Sequence, residues 1–250
     1  MPPAAVFKAW LPAPSGTASP CHTEAVQPSP DTLAANFELV RERIARAAER
    51  ARRDPESVVL VAVTKVFPAA VIRHAYALGL RQFGENYVQE FEAKAPLVAD
   101  LAEARFHFIG HLQSNKSAKA AELFQAIETV DTPKLARRLN AAGRELDVML
   151  EVKLSEEEAK RGASPEELPE LIAAVRECPH LRLTGLMTMP PWSDDPEDTR
   201  PYFRRLRELA QQHSLMGLSM GMSHDFEAAI EEGATVIRVG TALFGKRKKP

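Results

Sequence analysis

The chain has 250 residues, 45% hydrophobic and 26% charged, with a formal net charge of −2. That balance suits one folded domain of α/β-barrel size and leaves no basic field for nucleic acid or an anionic membrane. No apolar run reaches the roughly 18 residues a membrane span needs. Cys21 and Cys178 stand alone, without a CxxC pair or a disulfide framework, so the reading is a reducing, cytoplasmic compartment; separately, a monomer is expected.

Residues 1–30 hold Pro2, Pro3, Pro12, Pro14, Pro20, Pro28 and Pro30, out of 19 prolines in all, and only Lys8 and Glu24 carry charge. No apolar period survives between the prolines, so this stretch reads as a flexible tail ahead of one domain over 31–250. It lacks the continuous apolar core of a secretory signal and the arginines of a transit peptide. From Asp31, placed to cap it, a helix is expected to about Arg52, with Leu33, Phe37, Val40, Ile44 and Ala47 at helical spacing.

Beyond it, eight apolar or β-branched runs alternate with amphipathic stretches. The runs are 58–65, 82–87, 105–110, 126–131, 147–154, 181–189, 217–221 and 235–245; helices are expected over 69–79, 88–103, 114–123, 133–146, 165–177, 196–213 and 225–232. Ser114, Asp131 or Thr132, Ser164 and Asp195 stand where caps belong. Strands separated by helices predict parallel pairing through right-handed crossovers, and eight such units close a (β/α)8 TIM barrel. An open doubly wound sheet is the competing arrangement.

In a barrel, chemistry belongs at the carboxyl ends of the strands. Val59, Val61, Val63 and Lys65 share one face of the first strand, which therefore ends in an ammonium. Two roles are open to it: a solvated lysine at a strand edge, or an amine in a partly dry cup that forms an imine with a carbonyl. FGENYVQE (83–90) offers Asn86 after a permissive Gly84, either as pocket or as an ordinary turn. HFIGHLQSNK (107–116) gathers His107, His111, Gln113, Asn115 and Lys116 but no third metal ligand at a suitable spacing, so it reads as a polar loop lining a pocket. The last two strands give way at Gly221–Ser223 and at Arg238–Thr241, where barrels build phosphate sites from backbone N–H groups; there Ser223 could also cap the next helix. Helix capping alone is the other explanation for such residues, but two such loops at both positions favour phosphate. A carbonyl-seeking lysine beside a phosphate cup fits a phosphorylated aldehyde, and pyridoxal 5′-phosphate (PLP) meets both demands.

The segments AVTKVFP (62–68), FGENYVQE (83–90), HFIGHLQSNK (107–116), GLMTM (185–189), GMSHDFEAAI (221–230) and IRVGTALFG (237–245) resemble the pyridoxal phosphate homeostasis proteins, the YggS or PROSC family. These are single-domain relatives of the alanine racemase amino-terminal barrel. The resemblance runs from about Asp31 to Arg247. It implies a PLP imine on Lys65, Asn86 beside the ring, phosphate held by Ser223, Gly240 and Thr241, and Arg238 facing the pyridine nitrogen. It also implies apolar walls from Met222 and Met189 and a second amine, Lys160, for cofactor transfer, although a solvated lysine in a charged loop is the plainer account of Lys160. Glu151 and Lys153 depart from the Gln and Asn usual in relatives, as does Thr64 where many have Ser.

A guanidinium can only donate, so it favours an unprotonated ring nitrogen and weakens carbanion stabilisation. Two-base racemisation needs a group on the opposite face, in alanine racemase a tyrosine from a carboxyl-terminal domain. The chain ends at Pro250 without such a domain, and Tyr76, Tyr87 and Tyr202 lie in no motif that fits the role. The expectation is a carrier in vitamin B6 homeostasis that holds PLP and passes it to apo PLP enzymes. A PLP-dependent racemase or lyase of low activity is the alternative.

Overall fold

The computed structural model describes residues 27–155 and 161–245. Eight parallel strands follow one another in chain order and close into a barrel where β8 meets β1. They are β1 Val59–Val63, β2 Gln82–Glu85, β3 Arg105–Phe108, β4 Ala126–Val130, β5 Leu146–Glu151, β6 Leu181–Met187, β7 Gly217–Met222 and β8 Val236–Val239. The helices are α1 Pro30–Arg50, α2 Ala69–Ala77, α3 Val88–Lys94, α4 Ser117–Leu123, α5 Pro133–Asn140, α6 Leu168–Arg176, α7 Arg200–Gln212, α8 Phe226–Glu231 and α9 Thr241–Phe244. The expected barrel is thus the observed one, and the open sheet is excluded.

Alternation along each strand builds two cores. Outward Phe83, Phe106 and Phe108 pack under α3 and α4, where Phe91 meets Phe106 at 4.5 Å and Phe124 at 4.8 Å between ring centroids. Inward Val61, Met149, Met187 and Val236 form a small apolar layer on the axis. The helix after β8 is only four residues long, and α1 packs along α8 and α9 beside it. Asn36 Nδ2 donates to Leu243 O at 2.9 Å, and Arg43 pairs with Glu227 at 2.8 Å.

Local chemistry shifts several expected boundaries. Ser29, not Asp31, caps α1: its hydroxyl accepts from Thr32 N, and Pro30 fills the first helical position, where its missing N–H costs nothing. Asp31 sits in the first turn. Helix therefore begins inside the expected 1–30 tail, whose residues 1–26 lie outside the described residues. The helix expected over 88–103 stops at Lys94, because Pro96 has no N–H to continue the ladder and a 3-10 turn follows. The run expected as strand over 235–245 ends at Val239, and Gly240 opens α9. Thr132 and Asp195 cap as expected, Thr132 through Leu135 N and Asp195 through Glu197 N. Ser164 forms a reciprocal box with Glu167 just ahead of α6. Ser114 caps nothing with its side chain; its carbonyl accepts from Ser117.

Candidate functional site

Most of the expected site residues come from four strands that are neighbours around the ring. Register pairs Met222 with Arg238, Arg238 with Val61, and Val63 with Gly84, so β7, β8, β1 and β2 deliver their carboxyl ends side by side. Lys65 follows β1 and is half-buried; Asn86 follows β2. Met222 ends β7, with Ser223 next to it, while Met189 lies past β6 and is 37% exposed. Thr241, the first residue of α9, is exposed. Lys160 lies outside the described residues.

The β7 and β8 loops meet through one hydroxyl. Ser223 Oγ accepts from Gly240 N at 3.2 Å and from Ala242 N at 3.1 Å. Two amides thus converge on a single side-chain oxygen, which ties the β7 and β8 loops together at the mouth. Ser223 was expected to cap α8, but it serves the other loop instead; Asp225 begins α8 and its Oδ1 accepts from Met222 N at 2.7 Å. The bend before it needs Gly221, at φ +91°, where a Cβ would lie 2.5 Å from that of Ala229.

The segment that carries Lys65 is clamped from below. Val66 takes φ +64°, a left-handed conformation unusual for a β-branched residue. Its N–H donates to Glu90 Oε1 at 2.5 Å. Lys94 Nζ donates to Thr64 O at 3.0 Å and to Glu85 Oε1 at 2.9 Å, and Thr64 Oγ1 donates to the same Glu85 oxygen at 2.8 Å. Burial raises the Glu85 carboxyl above its usual range while Lys94 and Thr64 oppose the shift. Glu85 and Glu90 lie inside the FGENYVQE motif; Glu90 and Lys94 are an i,i+4 pair on α3, whereas the bond from Lys94 to Glu85, at the end of β2, follows from no local spacing.

Arg238 points into the barrel and is 3% exposed. Its Nη1 donates to Ser219 Oγ at 2.5 Å and its Nη2 to Thr188 O at 2.9 Å. Burial pulls its pKa down, and the charges of Glu128, Asp225 and Glu151 pull it back; a guanidinium in that company stays charged. Across the mouth, Glu151 ends β5, and burial together with Asp131 pushes its carboxyl up to about 7. Lys153 is half-buried just past it.

His107 and His111 do not share a site. His107 lies in β3, within the run expected as strand, and faces inward, bonded to Glu128 and Gln82 on the barrel axis and not lining the loop beyond the strand. His111 and Gln113 are exposed beyond the strand. Among the described residues no group of three or more His, Cys, Asp or Glu could hold a metal ion.

One buried polar atom at the mouth fits a polar ligand such as a phosphorylated aldehyde. Asn86 Oδ1 is buried with no hydrogen-bond partner among the described residues, an orphaned acceptor facing a cost until something donates to it. Gly110 lies so close to Asn86 that a Cβ there would sit 2.3 Å from Asn86 O, which holds that residue in place.

The family described as alanine racemase, N-terminal domain, matches residues 31–248. A protein of Pseudomonas aeruginosa named pyridoxal phosphate homeostasis protein is 49% identical over 222 residues, covering 86% of this chain and 96% of its own. Its namesake from Aquifex aeolicus is 45% identical over 219 residues, covering 84% and 96%. Among solved structures, PipY of Synechococcus elongatus with PLP bound superposes with a TM-score of 0.75 at 40% identity, covering 85% of this chain and all (100%) of that one. Alanine racemase from Corynebacterium glutamicum shares the fold, at a TM-score of 0.65 and 19% identity over 86% of this chain and 60% of its own. The chain is a member of the alanine racemase N-terminal domain family and, within it, belongs with the pyridoxal phosphate homeostasis proteins.

Proposed function

We propose that this protein holds pyridoxal 5′-phosphate at the carboxyl mouth of its barrel and passes it to apo PLP enzymes, without efficient catalysis of its own. The observation that carries the reading is the convergence of Gly240 N and Ala242 N on Ser223 Oγ, one strand away from a half-buried Lys65. The PLP-bound relative PipY supports it. Bound here, the cofactor supplies an electrophilic aldehyde carbon and an electron-withdrawing ring.

In this reading Lys65 would be the amine that holds the cofactor, bonding its aldehyde carbon with the aldehyde oxygen leaving as water. Ser223, Gly240 and Thr241 hold the phosphate, Asn86 lies beside the ring, and Met222 and Met189 shield it from water. Arg238 faces the pyridine nitrogen and, able only to donate, leaves that nitrogen its lone pair. A site that declines to protonate the ring withdraws less charge from a bound amino acid and suits storage over turnover. Lys160 is a second amine for transfer, the domain runs from residue 31 to 250, and its compartment is the cytoplasm. No helix among the described residues is long and apolar enough to cross a membrane.

The alternative, a racemase or lyase of low activity, is favoured by one observation: Glu151, pushed up to about 7, is poised for acid–base work near neutral pH. Amino-acid turnover assays separate the two. Loss of PLP to an apoenzyme without turnover supports the carrier; turnover proportional to protein and abolished in Lys65→Ala supports the enzyme.

A further inference from the structure

A hydrogen-bonded column runs up the barrel axis beneath the site. Gln82 Oε1 meets His107 Nε2 at 2.8 Å, and His107 Nδ1 meets Glu128 Oε1 at 2.6 Å. Glu128 Oε2 then accepts from Ser219 Oγ at 2.5 Å, and Ser219 Oγ accepts from Arg238 Nη1, also at 2.5 Å. Four strands supply it: β2, β3, β4 and β7, ending on β8. Its lower end opens into a cavity of about 240 Å³ at the amino ends of the strands, lined in part by Gln82, His107, Asp147 and Thr184.

The donors settle the order of the links. Ser219 has one hydroxyl proton. Giving it to Glu128 leaves only lone pairs toward Arg238, which is all a guanidinium can use. Glu128 is 1% exposed, and burial alone would raise its pKa, but His107, Arg238 and Ser219 hold it below its usual value. The carboxylate is therefore charged and serves as counter-ion to Arg238 across one hydroxyl. None of Gln82, His107, Glu128 or Ser219 belongs to the mouth itself.

We infer that Ser219, Glu128 and His107 are positioning residues, a column on the barrel axis that fixes where Arg238 points and so tunes the cofactor's ring nitrogen from below. The inference rests on the proposed cofactor site. With Ser219 on Nη1 and Thr188 O on Nη2 the guanidinium has one orientation, whereas an arginine freed of Ser219 keeps only the Thr188 bond and can pivot about it. The column also makes the cofactor sensitive to changes at the opposite, basal end of the barrel.

The test uses the full chain loaded with pyridoxal 5′-phosphate and compares wild type with Ser219→Ala, Ser219→Thr, Glu128→Gln and His107→Gln. Three quantities are read: borohydride-fixed cofactor on Lys65, the dissociation constant, and the pH profile of the bound cofactor's absorbance. Ser219→Ala is expected to keep cofactor on Lys65 while binding it about tenfold more weakly, the scale of one hydrogen bond to a charged group, with a displaced pH profile. His107→Gln is expected to displace that profile in the same direction, and Ser219→Thr, which keeps the hydroxyl, to restore both values. Glu128→Gln leaves a buried charge without its counter-ion and can fail to fold; the serine pair then decides. Cofactor on Lys65 in every variant with wild-type affinity and profile overturns the column alone. A wild-type protein that fixes no cofactor on Lys65 overturns the site and the column together.

Discussion

Lys94→Met tests the clamp beneath Lys65. The native Nζ bonds both oxygens of Glu85, at 2.9 and 3.2 Å, and pairs with Glu90 at 2.6 Å. Methionine keeps most of the volume and removes the charge, leaving Glu85, 0% exposed, with the Thr64 hydroxyl alone. Removing one partner of a buried pair costs about 3–5 kcal/mol. Protonation of Glu85 limits the damage, so we expect about 3 kcal/mol, or a Tm lower by roughly 6–12 °C for a domain of this size. The loss also depends on pH. Burial already raises the folded pKa of Glu85, and without Lys94 less opposes that rise. A group whose pKa is raised on folding adds stability below its unfolded value and loses it as pH rises through the folded one. The deficit of the variant should therefore be small near about pH 5 and full near about pH 8. Circular dichroism melting at both pH values measures it. A deficit below about 1 kcal/mol at the higher pH, the scale of an exposed pair, or one equal at both, would refute the clamp.

Glu151→Gln should flatten the pH dependence of stability. The native carboxyl, pushed up to about 7, favours folding while protonated and withdraws that support as pH rises toward and through that value. Above it, the glutamine variant should be the more stable by about 3 kcal/mol at most, with no difference near about pH 4; urea titrations across that range give the answer. Ser223→Ala removes the oxygen on which two amides converge, and calorimetric titration with pyridoxal 5′-phosphate should show affinity reduced about tenfold or more.

The barrel was legible because its strands are short apolar runs between amphipathic helices, a pattern that survives errors of a few residues at each end. Boundaries failed where one residue decided them, as Pro96 does for α3 and Gly240 for the end of β8. Ser29 does not read as a cap, because it lies among prolines that read as tail. The mouth residues could be named because each stands at or just past the carboxyl end of a strand. Their supports could not. Glu128 stands out as an acid inside AIETV, yet its partners are His107, 21 positions away, and Ser219, 91 away. Contacts across a barrel axis follow from closure and register, which no local period encodes. The neighbour of Ser223 is not legible either, because a serine before a helix looks alike whether it caps that helix or, as here, accepts from the next loop.

The central claim is that Lys65 holds the cofactor. The direct measurement is to reconstitute the protein with pyridoxal 5′-phosphate, reduce it with borohydride, and locate the added mass by peptide mapping. The account predicts one stable adduct, on the peptide containing Lys65, and none in Lys65→Ala. An adduct spread over surface lysines, or undiminished in Lys65→Ala, would contradict it.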